Sequence, residues 1–93
     1  MPIEVEHDEV RGRFVAPVEG QEAVVEYTRP DDRTMDIHRT FVPPEGRGKG
    51  LAGLLVRAAL DHAMAEGYRV VPTCPYVAGF IEKHAEYAPL VHA

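Results

Sequence analysis

One stretch, Phe41 to Gly67, constrains this chain more than any other part of it. It reads FVPPEGRGKGLAGLLVRAALDHAMAEG, which is a strand end, a glycine-rich loop and an amphipathic helix in direct succession. Gly67 is a typical C-terminal stop for such a helix. The helix itself is predicted because apolar residues recur on one face at helical spacing. These residues are Ala52, Leu55, Val56, Ala59, Leu60 and Ala63.

The loop is suited to bind an anion. Gly48 and Gly50 leave little side chain between the backbone and a ligand. Backbone N–H groups at the start of the helix can then point at a phosphate, helped by the positive end of the helix dipole. Arg47 and Lys49 add positive charge at the same place. Considered alone, a flexible strand-to-helix turn without a ligand explains the loop equally well.

Two familiar phosphate loops do not fit. A P-loop needs Ser or Thr after its Lys, and Lys49 is followed by Gly50. The stretch 48–53 matches G-x-G-x-x-G, but a dinucleotide site also needs an acidic residue at the end of the next strand. That strand ends Val70-Val71-Pro72-Thr73-Cys74, without a carboxylate. Both readings are therefore rejected.

A third pattern fits the loop. The hexapeptide Arg47-Gly48-Lys49-Gly50-Leu51-Ala52 reads R-x-x-G-x-A. It resembles the pyrophosphate loop of the GCN5-related N-acetyltransferases (GNAT). The flanking segments Thr40–Pro44, Val71–Tyr76 and Ile81–His84 are similar to those of the minimal, single-domain members of that family. The resemblance covers roughly residues 34–91, with three separated motifs in the right order.

The resemblance implies acetyl-coenzyme A (acetyl-CoA) as cosubstrate, with its diphosphate on the loop from Arg47 to Ala52. The backbone around Phe41 and Val42 would pair with the pantetheine arm, which needs the sheet to splay open between the fourth and fifth strands. Pro43 and Pro44 are compatible with this, because proline cannot donate to a strand ladder and so ends the pairing.

Cys74 is the candidate catalytic residue. Taken alone, a single cysteine is more often an inert buried thiol. Here it precedes a helix predicted to begin near Pro75, where the dipole favours a thiolate, and we expect the loop cations to lower its pKa as well. The resemblance implies that a cysteine at this position takes part in catalysis, either as an acetylated nucleophile or as an acid or base.

The chain departs from the larger family at two positions. Ile81 stands where typical members carry the tyrosine that protonates the departing thiolate, and Ile81 has no proton to give. Tyr76 and Tyr87 are near Ile81 in sequence, but the sequence does not predict where their side chains lie relative to the site. Relatives often carry His immediately before the Thr of strand four, where this chain has Arg39, with His38 one residue earlier. Since side chains alternate, a histidine base on this strand is doubtful.

The predicted fold class is α/β, with a GNAT-like mixed sheet. An antiparallel N-terminal meander is followed by a strand–loop–helix–strand–helix unit whose two strands are parallel. Residues 1–93 are expected to form one domain, and Tyr87 to Ala93 remain unassigned. The predicted strands lie around Ile3–Glu6, Val10–Val18, Ala23–Tyr27, Met35–Phe41 and Tyr68–Val71, and the second helix runs from Pro75 to about His84, with Val77, Phe80, Ile81 and His84 on one face.

Composition limits the kinds of molecule that the chain is expected to bind and the compartment in which it is expected to work. The net charge of −5 argues against a nucleic-acid binder and leaves room for a cationic amine. A single cysteine allows no intrachain disulfide. The first residues are acidic, unlike a signal peptide, and no apolar run is long enough to span a bilayer. We therefore expect a cytoplasmic location. A monomer is favoured over a homodimer, because Glu4, Glu6, Arg11 and Arg13 discourage edge pairing.

The five histidines show no zinc-ligand spacing. We expect His62 on the surface and a structural role for His84.

The sequence thus predicts an N-acetyltransferase that moves an acetyl group from acetyl-CoA to a primary amine of unknown identity. The alternative is a non-catalytic acyl-CoA-binding or partner-docking module, which the missing helix-borne tyrosine favours.

Overall fold

The computed structural model describes residues 4–91, which form one five-stranded sheet and three helices. Neighbouring strands follow chain order. The first four are antiparallel, and the fourth and fifth run parallel. The predicted mixed sheet is confirmed. The elements are β1 Glu6–Asp8, β2 Arg13–Val18, β3 Gln21–Thr28, β4 Thr34–Phe41, α1 Leu51–Glu66, β5 Arg69–Val71, α2 Pro75–Lys83 and α3 Ala88–Val91, with 3₁₀ turns at Pro44–Gly46 and Ala85–Tyr87.

The core lies between α1 and one face of the sheet, which we call the inner face. The helix packs on β2, β3 and β4. Its buried stripe agrees with the prediction except at the first position, because Leu51 is buried whereas Ala52 is only partly buried. The helix starts at Leu51, four residues before Leu55, so Leu51 continues the apolar stripe and Ala52 turns away from it. Gly67 ends the helix in the left-handed conformation, with φ of 74°.

The first strand differs from its prediction. Pairing covers Glu6–Asp8, and Ile3, predicted to begin this strand, lies outside the described residues. His7 takes the inner-face position opposite Phe14, where the two rings stack with centroids 4.0 Å apart. The prediction of Val10 in a strand was wrong. Val10 sits in the turn after β1 and is 98% exposed.

A β-bulge in β4 was not predicted. Glu26 and Tyr27 are consecutive in β3, yet they pair with Arg39 and Ile37, so β4 carries His38 as an extra residue. A bulge of this kind interrupts the alternation of side chains. Thr40 pairs with Val25, which is fully buried on the inner face, so Thr40 shares that face instead of lying opposite to Ile37.

The C-terminal residues, unassigned from sequence, fold back onto α1. Tyr87 is buried, and its hydroxyl donates to Asp61 Oδ1 at 2.6 Å and accepts from Arg57 Nη1 at 3.0 Å. The Arg57 guanidinium also lies 3.5 Å from a carboxylate oxygen of Glu86. This network joins the segment after α2 to the exposed side of α1. Among the helices of residues 4–91, none is long and apolar enough to cross a membrane.

Candidate functional site

The two parallel strands separate soon after they pair. β4 and β5 are in register only from Thr34 to Asp36, opposite Arg69 to Val71. Beyond this paired stretch, one further backbone hydrogen bond joins β4 to the segment after β5: the Cys74 N–H donates to Ile37 O at 2.9 Å. From His38 onward, β4 keeps β3 on one side and has no strand on the other within the described chain. The predicted splay is therefore present, and Cys74 lies at its apex.

The glycine-rich loop forms a cleft at the start of α1. Gly48 and Gly50 have φ values of 81° and 75°, in the left-handed region that favours glycine. The first helical hydrogen bond runs from the Leu54 N–H to Gly50 O, and no side chain caps the helix. Three earlier N–H groups thus lack an intrahelical acceptor. The residues that carry them help to line a cavity of about 250 Å³, which is bounded by Val42, Gly46, Arg47, Gly48, Gly50, Leu51, Ala52, Gly53 and Tyr76.

The chemistry of this cleft fits a diphosphate. Its donors are backbone N–H groups at a helix start, and the helix dipole adds positive potential. Leu51 is 4% exposed, with its side chain in the core, so only its backbone can contribute. The Lys49 side chain is exposed beside the cleft. Arg47 donates from Nε to Val42 O at 3.0 Å, which ties its guanidinium to the end of β4.

Cys74 is held from three directions. Its N–H is bonded to β4, its Sγ lies 3.5 Å from Thr40 Oγ1, and it forms the N-cap of α2. Burial raises the pKa of the thiol. The hydrogen bond between the thiol and the Thr40 hydroxyl, together with those from the N–H groups of Val77 and Tyr76, outweighs burial, so the pKa lies below its ordinary value. The direction agrees with the sequence-based expectation. The cause agrees in part, because Tyr76 and Val77 belong to the first turn of α2, whose N-terminus was expected to lower the pKa. The contribution of Thr40 was not expected, and the loop cations are not among the causes.

Thr40 and Tyr76 are site residues whose positions sequence reasoning missed. Thr40 reaches Cys74 because the bulge turns it to the inner face, and the sequence gives no clear signal of that bulge. Tyr76 lines the loop cleft from the facing helix, and its hydroxyl lies 3.7 Å from the place of a Cβ on Gly53. The helical spacing of Tyr76 and Phe80, one turn apart on the side of α2 that meets Gly53, was the available signal.

The other candidate residues lie elsewhere. Ile81 is buried in the core, and Tyr87 is engaged with Asp61, so neither has a place in the cleft. His84 stacks on Phe80, with ring centroids 4.1 Å apart, and its Nδ1 lies 3.4 Å from Arg57 Nη2.

His38 and His62 do not line the loop cleft, and only His62 differs from its sequence-based description. His38 is the exposed extra residue of the bulge, and Arg39 pairs with Glu26 at 3.3 Å on the outer face of the sheet. His62 was expected on the surface, but its ring is partly buried against His7, Phe14 and Tyr68.

The loop cleft is smaller than a basin at the opposite end of α1. That basin has a volume of about 600 Å³ and is lined by residues 31–34 and 67–69. Its polar groups serve the local turn, since Asp31 Oδ1 accepts from the Arg33 N–H at 2.8 Å. The loop cleft is the better candidate, because helix N–H groups without an intrahelical acceptor lie along it and Tyr76, two residues after Cys74, lines it. No cluster of three metal-ligating side chains occurs in the part of the chain that the structure describes.

The sequence of this chain is similar to that of known proteins. Residues 13–90 match the model of a family described as GCN5-related N-acetyl-transferase. Protein NATD1 of Bos taurus is 38% identical over 85 residues, which cover 89% of this chain and 75% of that protein. Protein NATD1 of Homo sapiens is 35% identical over the same shares, and that of Danio rerio is 33% identical over 91% and 81% of the two chains.

A solved structure shares the fold. The NMR structure of a GCN5-like protein from Staphylococcus aureus superposes with a TM-score of 0.74 over 94% of this chain and 85% of that one, at 24% identity. At this identity the match supports the fold alone, while the matching family model and the relatives support the assignment of the family. The chain belongs to the GCN5-related N-acetyltransferase family.

Proposed function

We propose that this chain transfers the acetyl group of acetyl-CoA to a primary amine and that Cys74 takes part in the chemistry. The observation that carries the proposal is the position of the thiol. Its sulfur lies 3.5 Å from Thr40 Oγ1, at the start of α2 and at the point where β4 and β5 separate. Tyr76, two residues after Cys74, lines the anion-binding cleft. A thiol with a lowered pKa where the two strands separate is suited to acyl transfer.

Two parts of the site bind different parts of acetyl-CoA. The loop from Arg47 to Ala52 holds the diphosphate through its backbone N–H groups. The free edge of β4 at Phe41 and Val42 pairs with the amide groups of the pantetheine arm, in the manner of an added strand. The Arg47 Nε already donates to Val42 O, which leaves the two Nη groups for the diphosphate. Alternatively, Arg47 releases Val42 O when the pantetheine arm pairs with Val42. An arm that runs along β4 from Val42 towards Thr40 brings the thioester close to Cys74.

In one route, Cys74 is the nucleophile. Its thiolate sulfur attacks the thioester carbonyl carbon, a new carbon–sulfur bond forms, and coenzyme A leaves as a thiolate that takes a proton from solvent. The amine then attacks the acetyl carbon on Cys74. The carbon–nitrogen bond forms, the bond to Cys74 breaks, the thiolate is regenerated and the nitrogen loses one proton to water. Backbone N–H groups along the free edge of β4 stabilise the oxyanion in both steps.

In the other route, the amine attacks the thioester directly. Cys74 as thiolate accepts the proton that the attacking nitrogen loses, and as thiol it then gives a proton to the departing coenzyme A sulfur. The lowered pKa of Cys74 serves both roles, since both need a thiolate near neutral pH. The two routes differ in whether acetyl is ever bonded to the protein.

The test measures turnover with acetyl-CoA and a panel of primary amines for the wild type, Cys74→Ser and Cys74→Ala. Both variants are expected to bind acetyl-CoA like the wild type in a thermal-shift assay and to lose most of their turnover. Intact mass of the wild type without amine decides the route, because the nucleophile route adds one acetyl group that hydroxylamine removes. Full activity of Cys74→Ala would make the thiol structural. Binding by the wild type without transfer to any amine would favour the non-catalytic acyl-CoA-binding module.

A further inference from the structure

The splay between β4 and β5 is closed on one face of the sheet and open on the other. On the inner face, Cys74 is 7% exposed and belongs to the same core cluster as the buried residues of α1, α2 and α3. The outer-face residues Val15 and Val24 lie outside that cluster, so the helices of residues 4–91 pack on the inner face. An amine that attacks a thioester held at the splay therefore approaches from the outer face.

A carboxylate marks the outer side of the splay. Asp36 precedes Ile37, whose side chain is fully buried on the inner face and whose O atom accepts from the Cys74 N–H. Thr73 precedes Cys74, and its hydroxyl donates to Asp36 Oδ1 at 2.5 Å. Because successive side chains of a strand point to opposite faces, Asp36 lies on the outer face. Its carboxylate is thus bonded to the residue next to Cys74, on the side from which the amine approaches.

This carboxylate has capacity for a cation. Asp36 is half-buried, and the Thr73 hydroxyl is the one hydrogen-bond donor to its side chain within the described chain. A carboxylate has about four lone-pair sites, so most of them remain open. No ion pair of residues 4–91 includes Asp36, and Arg39, on the same face, is paired with Glu26. A hydroxyl on a carboxylate also fastens the segment after β5 to β4, so this contact alone assigns no ligand. The position of the carboxylate at the open side of the splay does.

Apolar surface lies beside the carboxylate. Val71 pairs in register with Asp36 and is 41% exposed on the same face. This combination suits an alkylammonium ion. Its charged end forms a hydrogen-bonded ion pair with the carboxylate, and its methylene groups cover the aliphatic side chain.

Building on the proposed transfer of acetyl to a primary amine, we propose that Asp36 binds a second ammonium group of the acceptor, so that the site selects linear alkyl diamines. One nitrogen, as the free amine, attacks the acetyl carbon and loses its proton as described above. The other nitrogen keeps its protons and stays on the Asp36 carboxylate. Thr73 is a positioning residue, because its hydroxyl fixes that carboxylate at the splay. The net charge of −5 also favours the approach of a dication.

The experiment measures initial rates of acetyl transfer to putrescine and to butylamine, which have chains of equal length and differ in the second amine. For the wild type, kcat/KM is expected to be about five- to tenfold higher for putrescine. In Asp36→Asn this ratio should fall to about two, the statistical factor for two equivalent amines. The amide oxygen of the variant side chain still accepts from Thr73, so the local structure is kept.

Glu6→Gln is the matched control. It removes the same charge from the same face, at an exposed position of β1, which is three strands away from β4. We expect it to keep the wild-type ratio of the two kcat/KM values, whereas a general attraction of dications by the acidic chain would weaken equally in both variants. Thermal melts and titrations with acetyl-CoA establish that each variant is folded and binds the cofactor.

The contact with Thr73 gives a second measurement. Thr73→Val is expected to lower the ratio by about twofold, because the carboxylate loses the bond that fixes it, and Thr73→Ser should keep the wild-type ratio. If Asp36→Asn does not fold, these two variants decide, since equal ratios in both would overturn the proposal.

The outcomes separate this inference from the proposed function. A wild-type ratio no higher than the statistical factor, an unchanged ratio in Asp36→Asn, or an equal fall in Glu6→Gln overturns the assignment of Asp36. Transfer by the wild type to other amines of the panel, but to neither putrescine nor butylamine, overturns it as well. In each of these cases acetyl transfer still occurs, and the proposed function stands. Failure of the wild type to acetylate any amine would instead remove the proposed function, and this inference with it.

Discussion

Gly50→Ala tests whether the loop backbone makes the binding site. Gly50 is the N-cap of α1 and has φ of 75°, and a Cβ at this position would meet no atom within 4 Å. The cost to the fold is therefore that of the left-handed backbone alone, about 1–2 kcal/mol. Reduced freedom of the unfolded chain offsets about 0.4–1 kcal/mol of it. We expect a net loss of about 1 kcal/mol, which lowers Tm by roughly 4–8 °C in a domain of this size.

Gly20→Ala is the matched control. Gly20 has φ of 81°, has equally open surroundings, and lies in the turn between β2 and β3. It should lose the same stability without any effect on the cofactor. In Gly50→Ala the added methyl group enters the cleft against which the diphosphate would lie. We expect acetyl-CoA affinity to fall at least tenfold, which corresponds to about 1.4 kcal/mol.

The assay is calorimetric titration with acetyl-CoA at a temperature at which thermal melts show both variants to be folded. If Gly50→Ala and Gly20→Ala have the same dissociation constant for acetyl-CoA, the diphosphate does not lie against the backbone at Gly50.

Substitutions at Thr40, Tyr87 and His7 test three other contacts. Thr40→Val removes the hydrogen bond between Thr40 and the Cys74 sulfur, so iodoacetamide should alkylate Cys74 about tenfold more slowly at neutral pH. Thr40→Ser should react like the wild type. Equal rates in all three proteins would contradict a role of Thr40 in lowering the pKa of Cys74. Tyr87→Phe leaves a carboxylate oxygen of Asp61 without its donor and should lower the unfolding free energy by about 1–3 kcal/mol in urea melts, and an unchanged midpoint would show the bond to be unimportant. Burial and a neighbouring imidazole lower the pKa of His7, so the folded state takes up its proton less readily than the unfolded state. The unfolding free energy should therefore fall as the pH drops from about 6.5 through the folded pKa, and His7→Gln should flatten that dependence in denaturant melts.

Much of the fold could be predicted because local patterns and global structure agree. The stripe from Leu55 to Ala63, the stop at Gly67 and the proline at the start of α2 each depend on neighbouring residues, and each is confirmed. The parallel pairing of β4 and β5 follows from the strand–helix–strand connection, which is parallel and right-handed in nearly all proteins.

The predictions that were wrong or missing concern residues whose positions depend on contacts with residues distant in sequence. Val10 was predicted in a strand from its apolar character, but a turn at Gly12 leaves it in solvent. His7 becomes an inner-face residue only because Phe14 and Tyr27 surround its ring. Sequence alternation cannot show the bulge at His38, since an extra residue is defined only against the partner strand.

The candidate site shows the same division. The loop and Cys74 were proposed as site residues because the motifs around them resemble those of the acetyltransferase family, and their roles stay predictions. Thr40 was not identified as a partner of Cys74, because that contact needs the bulge, and Tyr76 was not placed, because its position depends on how α2 packs near Gly53.

The most direct test of the central claim is a titration of the wild type with acetyl-CoA, followed residue by residue in ¹H–¹⁵N NMR spectra. We expect saturable changes that cluster at the amides of residues 41–42, 47–53 and 74–76, with residues 31–34 and 67–69 unaffected. Changes that centre on the larger basin at residues 31–34 and 67–69, or no saturable change at all, would contradict the claim that the glycine-rich loop and Cys74 form one acetyl-CoA site.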